Sequence, residues 1–101
     1  MNFSVSENSV ENKNTHRFSY MSYLEGLQRK QSTLKFELFN LGVFEMFMAA
    51  NDIQDFADVT EPNLIKYRHE LISKNYKAKT VESYTRTVVG FYKFLELSNQ
   101  I

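Results

Sequence analysis

The segment from Leu34 to Ala50 carries apolar residues on almost every side of a helix, and no other feature of the sequence constrains the fold as much. A helix that is apolar nearly all round is a central helix, packed by several others. With a rise of about 1.5 Å per residue, this helix is too short to cross a bilayer. We therefore expect a small all-α domain built around it, in which Met46 and Met48 fill gaps in the core.

Apolar residues at helical spacing predict three further helices, which together with the central one form a four-helix bundle of two helical hairpins. The first helix should begin near Phe18, with Ser19 as its N-cap. Its buried residues are predicted to be Tyr20, Tyr23, Leu24 and Leu27.

The third and fourth helices carry clear end signals. The third should begin at a Thr60 cap and end near Asn75, because Asn tolerates the left-handed conformation at a helix terminus. The fourth should run from Ala78 to Ser98, and Gly90 in its middle predicts the close approach of another backbone. Its buried stripe is predicted to contain Val81, Tyr84, Val88, Phe91, Tyr92 and Leu95.

The length of 101 residues suits one domain, which is predicted to span residues 18–98. Residues 1–17 are rich in Asn and Ser and lack apolar periodicity, so they are predicted to form a flexible arm. Residues 99–101 are predicted to begin a linker. The chain has no Cys, which excludes disulfides. We expect a cytoplasmic protein that makes no contact with membranes.

The sequence offers little catalytic chemistry. Neither His16 nor His69 has a His or Cys partner at metal-ligand spacing, and no phosphate-binding glycine loop or Ser-His-Asp set appears. We therefore expect no catalytic residues, no metal and no other cofactor. The Tyr residues are predicted to be structural, except that Tyr76 lies in a basic turn and could contact either DNA or the third helix.

Charge is distributed unevenly, although twelve basic and twelve acidic residues give a net charge of zero. The segment from Glu45 to Glu61 has five carboxylates and no Lys or Arg, whereas Lys74 to Lys93 has five cations against Glu82 alone. The two segments sum to −5 and to 5 − 1 = +4. Such an asymmetry can orient a protein on a polyanion, and the alternative is two ordinarily solvated faces.

The turn before the fourth helix and the first half of that helix concentrate side chains that suit phosphate. These candidate DNA-binding residues are Lys77, Lys79, Thr80, Ser83, Arg86 and Thr87. A helix N-terminus adds backbone N–H groups and a positive dipole. Arg86 is predicted to recognise guanine, because its planar fork can pair with two acceptors. Thr80 could instead cap the helix.

A second group of basic and hydroxyl side chains surrounds the start of the second helix and could make an opposing contact with DNA. The group contains Lys30, Ser32, Thr33 and Lys35. Either of the two hydroxyl residues could instead cap the second helix.

Three segments, taken in order, resemble the core-binding domain of tyrosine recombinases, which is the SAM-like N-terminal domain of phage integrases. The resemblance extends from Phe18 to Leu97. Its parts are YLEGLQRKQSTLKFELFNLGVFEMF at residues 23–47, DIQDFADVTEPNLIKYRHEL at 52–71, and KNYKAKTVESYTRTVVGFYKFL at 74–95.

The resemblance implies a domain that clamps double-stranded DNA, chiefly through its second and fourth helices, during site-specific recombination. It also implies a separate catalytic domain, so this chain is expected to be a catalytically inert fragment of a larger integrase. The parent is expected to assemble as a tetramer on DNA, and the fragment to be monomeric. The alternatives are a helical module that binds a protein partner through residues 52–61 or a Phe-rich surface, and a helical structural domain.

Overall fold

The computed structural model of the chain describes the backbone of residues 3–100 and the side chains of residues 15–100. Over that part it confirms the predicted all-α fold, a bundle of four helices without strands. The helices are α1 (Phe3–Gly26), α2 (Gln31–Ala50), α3 (Glu61–Ser73) and α4 (Ala78–Leu97), and a short 3-10 helix (Phe56–Asp58) lies in the α2–α3 connector. Among the described residues, no helix has the length and apolar content to cross a membrane.

The start predicted for the first helix is wrong. α1 begins at Phe3, and Ser19 lies inside it instead of capping it. The helix therefore extends through most of the predicted arm of residues 1–17. Met1 and Asn2 lie outside the described residues, as do the side chains up to residue 14, and the flexibility of that segment stays a prediction.

Side-chain contacts hold the middle of α1 against the rest of the domain and explain why the helix does not begin at Phe18. The ring of His16 lies beside that of Phe56, and its Nδ1 is 2.8 Å from Gln100 Oε1. Arg17 Nε lies 3.3 Å from Glu45 Oε1 on α2. These tertiary contacts stabilise helical backbone in a segment whose polar composition gives it no amphipathic pattern.

The α3 N-terminus forms as predicted. Thr60 is the N-cap, its side chain accepts a hydrogen bond from the Asn63 backbone N–H, and Asn63 Oδ1 accepts one from the Thr60 N–H at 2.8 Å. This reciprocal arrangement satisfies two of the helix's free donors. Pro62 lies in the first turn, where its missing N–H costs no hydrogen bond.

The core lies where the four helices meet, and the α2–α3 connector closes one side of it. Phe91 of α4 is fully buried, with its ring 4.8 Å from that of Phe56 in the connector and 5.2 Å from that of Tyr20 in α1. Tyr92 donates a hydrogen bond of 2.6 Å from Oη to the Phe56 carbonyl. The predicted buried stripe of α4 is thus confirmed, with Tyr92 partly buried.

Several residues predicted for the core are exposed. Tyr23 is 43% exposed, and Leu27 is about half exposed because α1 ends before it. Met48 is fully buried, but Met46 is 73% exposed and Phe39 is 61% exposed. The central helix α2 is therefore packed on several sides, as predicted, but one of its apolar faces stays open.

The close approach predicted at Gly90 involves a side chain and not a backbone. Among the described residues, an added Cβ at this position would meet only the Tyr20 hydroxyl, at 3.6 Å, which is an ordinary van der Waals distance.

All four described helices end in the same way, with a residue in the left-handed conformation just beyond the C-cap. These residues are Gln28, Asp52, Asn75 and Asn99, with φ values from 58° to 65°. The N–H groups of each such residue and of its successor bond back to carbonyls of the last turn, as Arg29 N–H does to Leu24 O. This pattern is the Schellman motif, and it confirms the left-handed Asn75 predicted at the end of the third helix.

We expect Gln28→Gly to raise the free energy of unfolding by about 1 kcal/mol, because a left-handed residue with a Cβ is strained and glycine is not. Urea unfolding of the two proteins measures the difference. Asn99→Gly is the matched control, since Asn tolerates this conformation and the gain there should be smaller. Equal gains at the two positions would contradict the explanation by strain.

Candidate nucleic-acid interface

α2 and α4 pack against each other and run in the same direction along their contact. The ring of Phe39 lies 6.3 Å from that of Tyr84, and the ring of Phe44 lies 6.5 Å from that of Tyr92. Moving toward the C-terminus of α2 therefore also moves toward the C-terminus of α4. The N-termini of the two helices consequently lie at the same end of the bundle.

A buried hydrogen bond between the two helices shows that their N-termini lie at about the same distance along the helices from one point of contact. Asn40 Nδ2 donates to Thr87 Oγ1 at 3.0 Å. The N-cap of α2 is Lys30 and that of α4 is Lys77, so each cap precedes the bond by ten residues (40 − 30 and 87 − 77). At 1.5 Å per residue, both N-termini lie about 15 Å along their helices from the same point.

Both N-termini present free backbone donors. Lys30 and Lys77 have nearly the same backbone conformation, φ −65° and ψ 150° against φ −64° and ψ 150°, and neither makes a side-chain capping bond within the described residues. The caps predicted from Ser32, Thr33 or Thr80 are wrong, because these residues lie inside the first turns. The N–H groups of both first turns are therefore open to solvent or to an anion.

Cationic residues lie near the N-termini of α2 and α4, and carboxylates follow the C-terminus of α2. The segments that enter α2 (residues 28–36) and α4 (residues 74–81) contain six cations and no carboxylate, namely Arg29, Lys30, Lys35, Lys74, Lys77 and Lys79. The segment that leaves α2 (residues 51–61) contains four carboxylates and no cation, namely Asp52, Asp55, Asp58 and Glu61. We call the first region the basic end and the second the acidic end.

Three of the predicted α4 residues share one exposed face. Lys79, Ser83 and Arg86 are spaced by four and three residues, which places them on one side of the helix, opposite the buried stripe. Lys79 and Arg86 are exposed and Ser83 is half-buried. Lys93 was not among the predicted residues, although it is exposed on the same face and its position seven residues after Arg86 is the signal that identifies it.

Thr87 does not belong to this face, and its prediction as a DNA contact is wrong. It is 3% exposed, and its hydroxyl accepts the hydrogen bond from Asn40. A step of four residues advances about 40° beyond a full helical turn. Two such steps from Lys79, through Ser83 to Thr87, therefore rotate the side chain toward α2 and into the interior.

The remaining candidates lie around the two N-termini. Lys30, Ser32, Lys35 and Lys77 are exposed, whereas Thr33 and Thr80 are half-buried. Arg29 was not among the predicted residues, although it directly precedes Lys30 and is exposed at the same end.

Tyr76 contacts the end of the third helix, one of the two roles that the sequence left open, and its contact with DNA stays a prediction. Its backbone N–H bonds to the Leu71 carbonyl at the end of α3. Its ring lies 5.6 Å from that of Tyr84, and its side chain is partly exposed between Lys74 and Lys77. The residue therefore packs on the domain and still presents surface at the basic end.

Comparison with protein-family models gave no match, and neither did comparison with curated proteins or with solved structures.

Proposed function

We propose that the basic end of the bundle binds double-stranded DNA, and that the chain acts as the core-binding domain of a site-specific tyrosine recombinase. The observation that carries the proposal is that the N-termini of α2 and α4, each with a Lys at the N-cap position and without a side-chain capping bond, lie together at one end of the domain. Free N–H groups and the positive ends of two helix dipoles favour phosphate at that position. Six cations without an opposing carboxylate in the same segments add to this attraction.

Six side chains at the basic end and on the exposed face of α4 have specific roles in this proposal. Lys30, Lys35, Lys77 and Lys79 neutralise backbone phosphates and position the domain on the duplex. Arg86 lies further along the exposed face of α4, where its planar guanidinium can pair with both acceptors of a guanine. Ser83, on the same face, supplies a hydroxyl for a phosphate or a base edge.

The wider role follows from the resemblance to recombinase core-binding domains. In this proposal the domain holds one side of the duplex while a separate catalytic domain breaks and rejoins strands, within a tetramer assembled on DNA. The isolated domain binds weakly, because its few cations release few counterions from the duplex.

We expect Lys79→Ala to weaken binding to a duplex oligonucleotide and to make its salt dependence less steep. Each phosphate contact contributes about −0.9 to the slope of log K against log salt concentration, so losing one contact changes the slope by about one unit. Fluorescence anisotropy titrations over a series of NaCl concentrations measure both quantities.

Lys66→Ala is the matched control, because Lys66 bonds through Nζ to Asn51 Oδ1 at 2.6 Å, at the acidic end. The slope for this variant should equal that of the parent protein. Equal slopes for all three proteins would contradict the proposal. An apolar protein partner, the alternative raised by the sequence, would instead give binding that changes little with salt.

A further inference from the structure

An open groove of about 610 Å³ lies between α2 and α3. Its mostly apolar lining includes Phe39, Gly42, Met46, Leu71 and Tyr76. Phe39 and Met46 are mostly exposed and Tyr76 is partly exposed, so the described part of the chain leaves this surface open. A contiguous apolar surface that stays exposed is typical of a site at which another molecule binds.

α3 runs opposite to α2 along this groove. Near the start of α3, Lys66 Nζ lies 2.6 Å from Asn51 Oδ1 at the end of α2. Just beyond the end of α3, the ring of Tyr76 lies 5.6 Å from that of Tyr84, which in turn lies 6.3 Å from the ring of Phe39 on α2. The groove therefore extends from the acidic end of the bundle toward the basic end.

Two opposite charges lie on the α3 wall of the groove. Glu70 and Lys74 are one turn apart on the helix and are the charged residues of the groove lining. Glu70 is half-buried and Lys74 is exposed, and the described residues provide no salt bridge to either side chain. Both charges are therefore available to a molecule that covers the groove.

The α2 wall is complementary to a reversed copy of itself. A two-fold axis that lies in the interface and crosses α2 at a right angle stacks the helix on its own copy in the opposite direction. If the axis crosses α2 between Gly42 and Val43, Phe39 of each copy lies opposite Met46 of the other, and thioether sulfur favours contact with an aromatic ring. Among the described residues nothing lies within 4 Å of a Cβ added at Gly42, so the wall has room for a second helix at the axis.

The α3 wall has the same property. Glu70 and Lys74 lie two residues before and two residues after Ile72. If the two-fold axis also crosses α3 at Ile72, Glu70 of each copy lies opposite Lys74 of the other. The dimer then contains this ion pair twice, and no charge of the groove lining faces a like charge.

One axis can satisfy both walls, because the two crossing points lie at similar levels. The ring of Tyr67 contacts those of Phe44 and Phe47 at 4.9 Å and 5.1 Å. From this contact the axis lies about five residues further along α3 and about three residues back along α2, which is about 8 Å and 5 Å toward the basic end. The difference of about 3 Å is less than one helical turn, and long Glu and Lys side chains can span it.

We propose that the α2–α3 groove binds a second copy of this chain, in an antiparallel dimer with two-fold symmetry. Charge complementarity favours this occupant in two ways. The two Glu70–Lys74 pairs form across the interface, and the basic end of each copy lies beside the acidic end of the other. A parallel dimer would instead bring like ends together. The antiparallel dimer does not depend on DNA binding, and it differs from the monomer that the resemblance to recombinase domains implies.

The size of the groove predicts a weak dimer. The exposed parts of Phe39, Met46 and Tyr76 amount to roughly 300–400 Å², since a whole aromatic side chain buries about 150–250 Å². Stable complexes bury about 800 Å² on each partner. We therefore expect a dimer that forms toward millimolar protein concentration and dissociates on dilution.

Sedimentation velocity of the full chain, from micromolar to millimolar protein, measures this dimerisation. The sedimentation coefficient should rise with concentration from the monomer value to the dimer value. Met46→Asp should stay folded, because Met46 is mostly exposed, and should weaken dimerisation about tenfold or more, because it places a carboxylate in an apolar interface. Phe18→Asp is the matched control, since Phe18 is as exposed as Met46 but lies on α1 outside the groove lining, and it should dimerise like the parent protein.

Charge reversal tests the antiparallel arrangement. Glu70→Lys and Lys74→Glu each place like charges opposite one another at both pairs of the dimer, and each should weaken dimerisation about fivefold to tenfold. The double variant Glu70→Lys/Lys74→Glu restores both pairs in the opposite sense and should dimerise like the parent protein. Circular dichroism should show the same helix content for all three variants, because neither side chain is buried.

Three results would overturn the proposal. One is a parent protein that stays monomeric at millimolar concentration, and another is a dimer that Met46→Asp leaves unchanged. The third is a double charge variant that dimerises no better than the single variants, because the two copies then do not lie antiparallel across the groove.

Discussion

Phe91→Ala should lower the free energy of unfolding by about 3–5 kcal/mol, the range for removing a fully buried aromatic ring from a core. Phe91 is fully buried and lies against Tyr20 of α1, Phe56 of the connector and Tyr92 of its own helix. Its truncation therefore leaves a cavity between three elements that cannot all close on it. Urea unfolding followed by circular dichroism measures the loss.

Phe18→Ala is the matched control for this prediction. Phe18 lies on α1 and is mostly exposed, so the same substitution removes little buried surface. Its effect should stay within about 0.5 kcal/mol, as for most surface substitutions. If the two variants lose similar stability, the packing described around Phe91 is wrong.

Thr87→Val should lower the free energy of unfolding by about 1–3 kcal/mol, although it changes the side-chain volume little. The substitution removes the acceptor of the buried Asn40–Thr87 hydrogen bond and leaves Asn40 Nδ2 unpaired. Within the described residues Asn40 Oδ1 already lacks a partner, so the whole amide would then be buried without hydrogen bonds. Chemical unfolding measures the change.

The double variant Asn40→Leu/Thr87→Val separates this cause from a packing defect. An apolar pair at these positions removes both polar groups together, so much of the lost stability should return. A double-mutant cycle with the two single variants gives the coupling energy directly. Additive losses in the cycle would show that the two side chains do not depend on each other.

The parts of the fold that the sequence predicted are those with a local cause. The Thr60 cap and the left-handed Asn75 depend on a few neighbouring residues, and both bounds of α3 follow from them. The stripe of α4 was predictable because its apolar residues recur at helical spacing along one side only.

The wrong predictions concern helix bounds and side-chain burial that are determined by tertiary contacts. The middle of α1 is held against the domain by His16 and Arg17, whose partners lie far away in the sequence. Thr87 is of a residue type that is mostly exposed in proteins. Its partner Asn40 lies 47 positions earlier, inside an apolar segment. In α2, apolar residues surround the helix, so periodicity could not show that the face with Met46 stays open.

The candidate site was predictable in part for the same reason. The positions of the cations are visible in the sequence, and most of the predicted side chains are exposed. That the N-termini of α2 and α4 share one end of the bundle depends on helix packing, which no local pattern encodes. The same packing buries the Thr87 side chain against α2, away from the candidate site.

The parallel course of α2 and α4 gives this electrically neutral molecule a pronounced polarity. The dipoles of α1 and α3 oppose those of α2 and α4, so the polarity comes from the side-chain charges that this arrangement places at opposite ends. A nearby polyanion therefore exerts a torque that turns the basic end toward it. The acidic end lies about 30 Å away, the length of a 20-residue helix. Because ions screen charges beyond about 8 Å at physiological ionic strength, that end contributes little repulsion once the domain has docked.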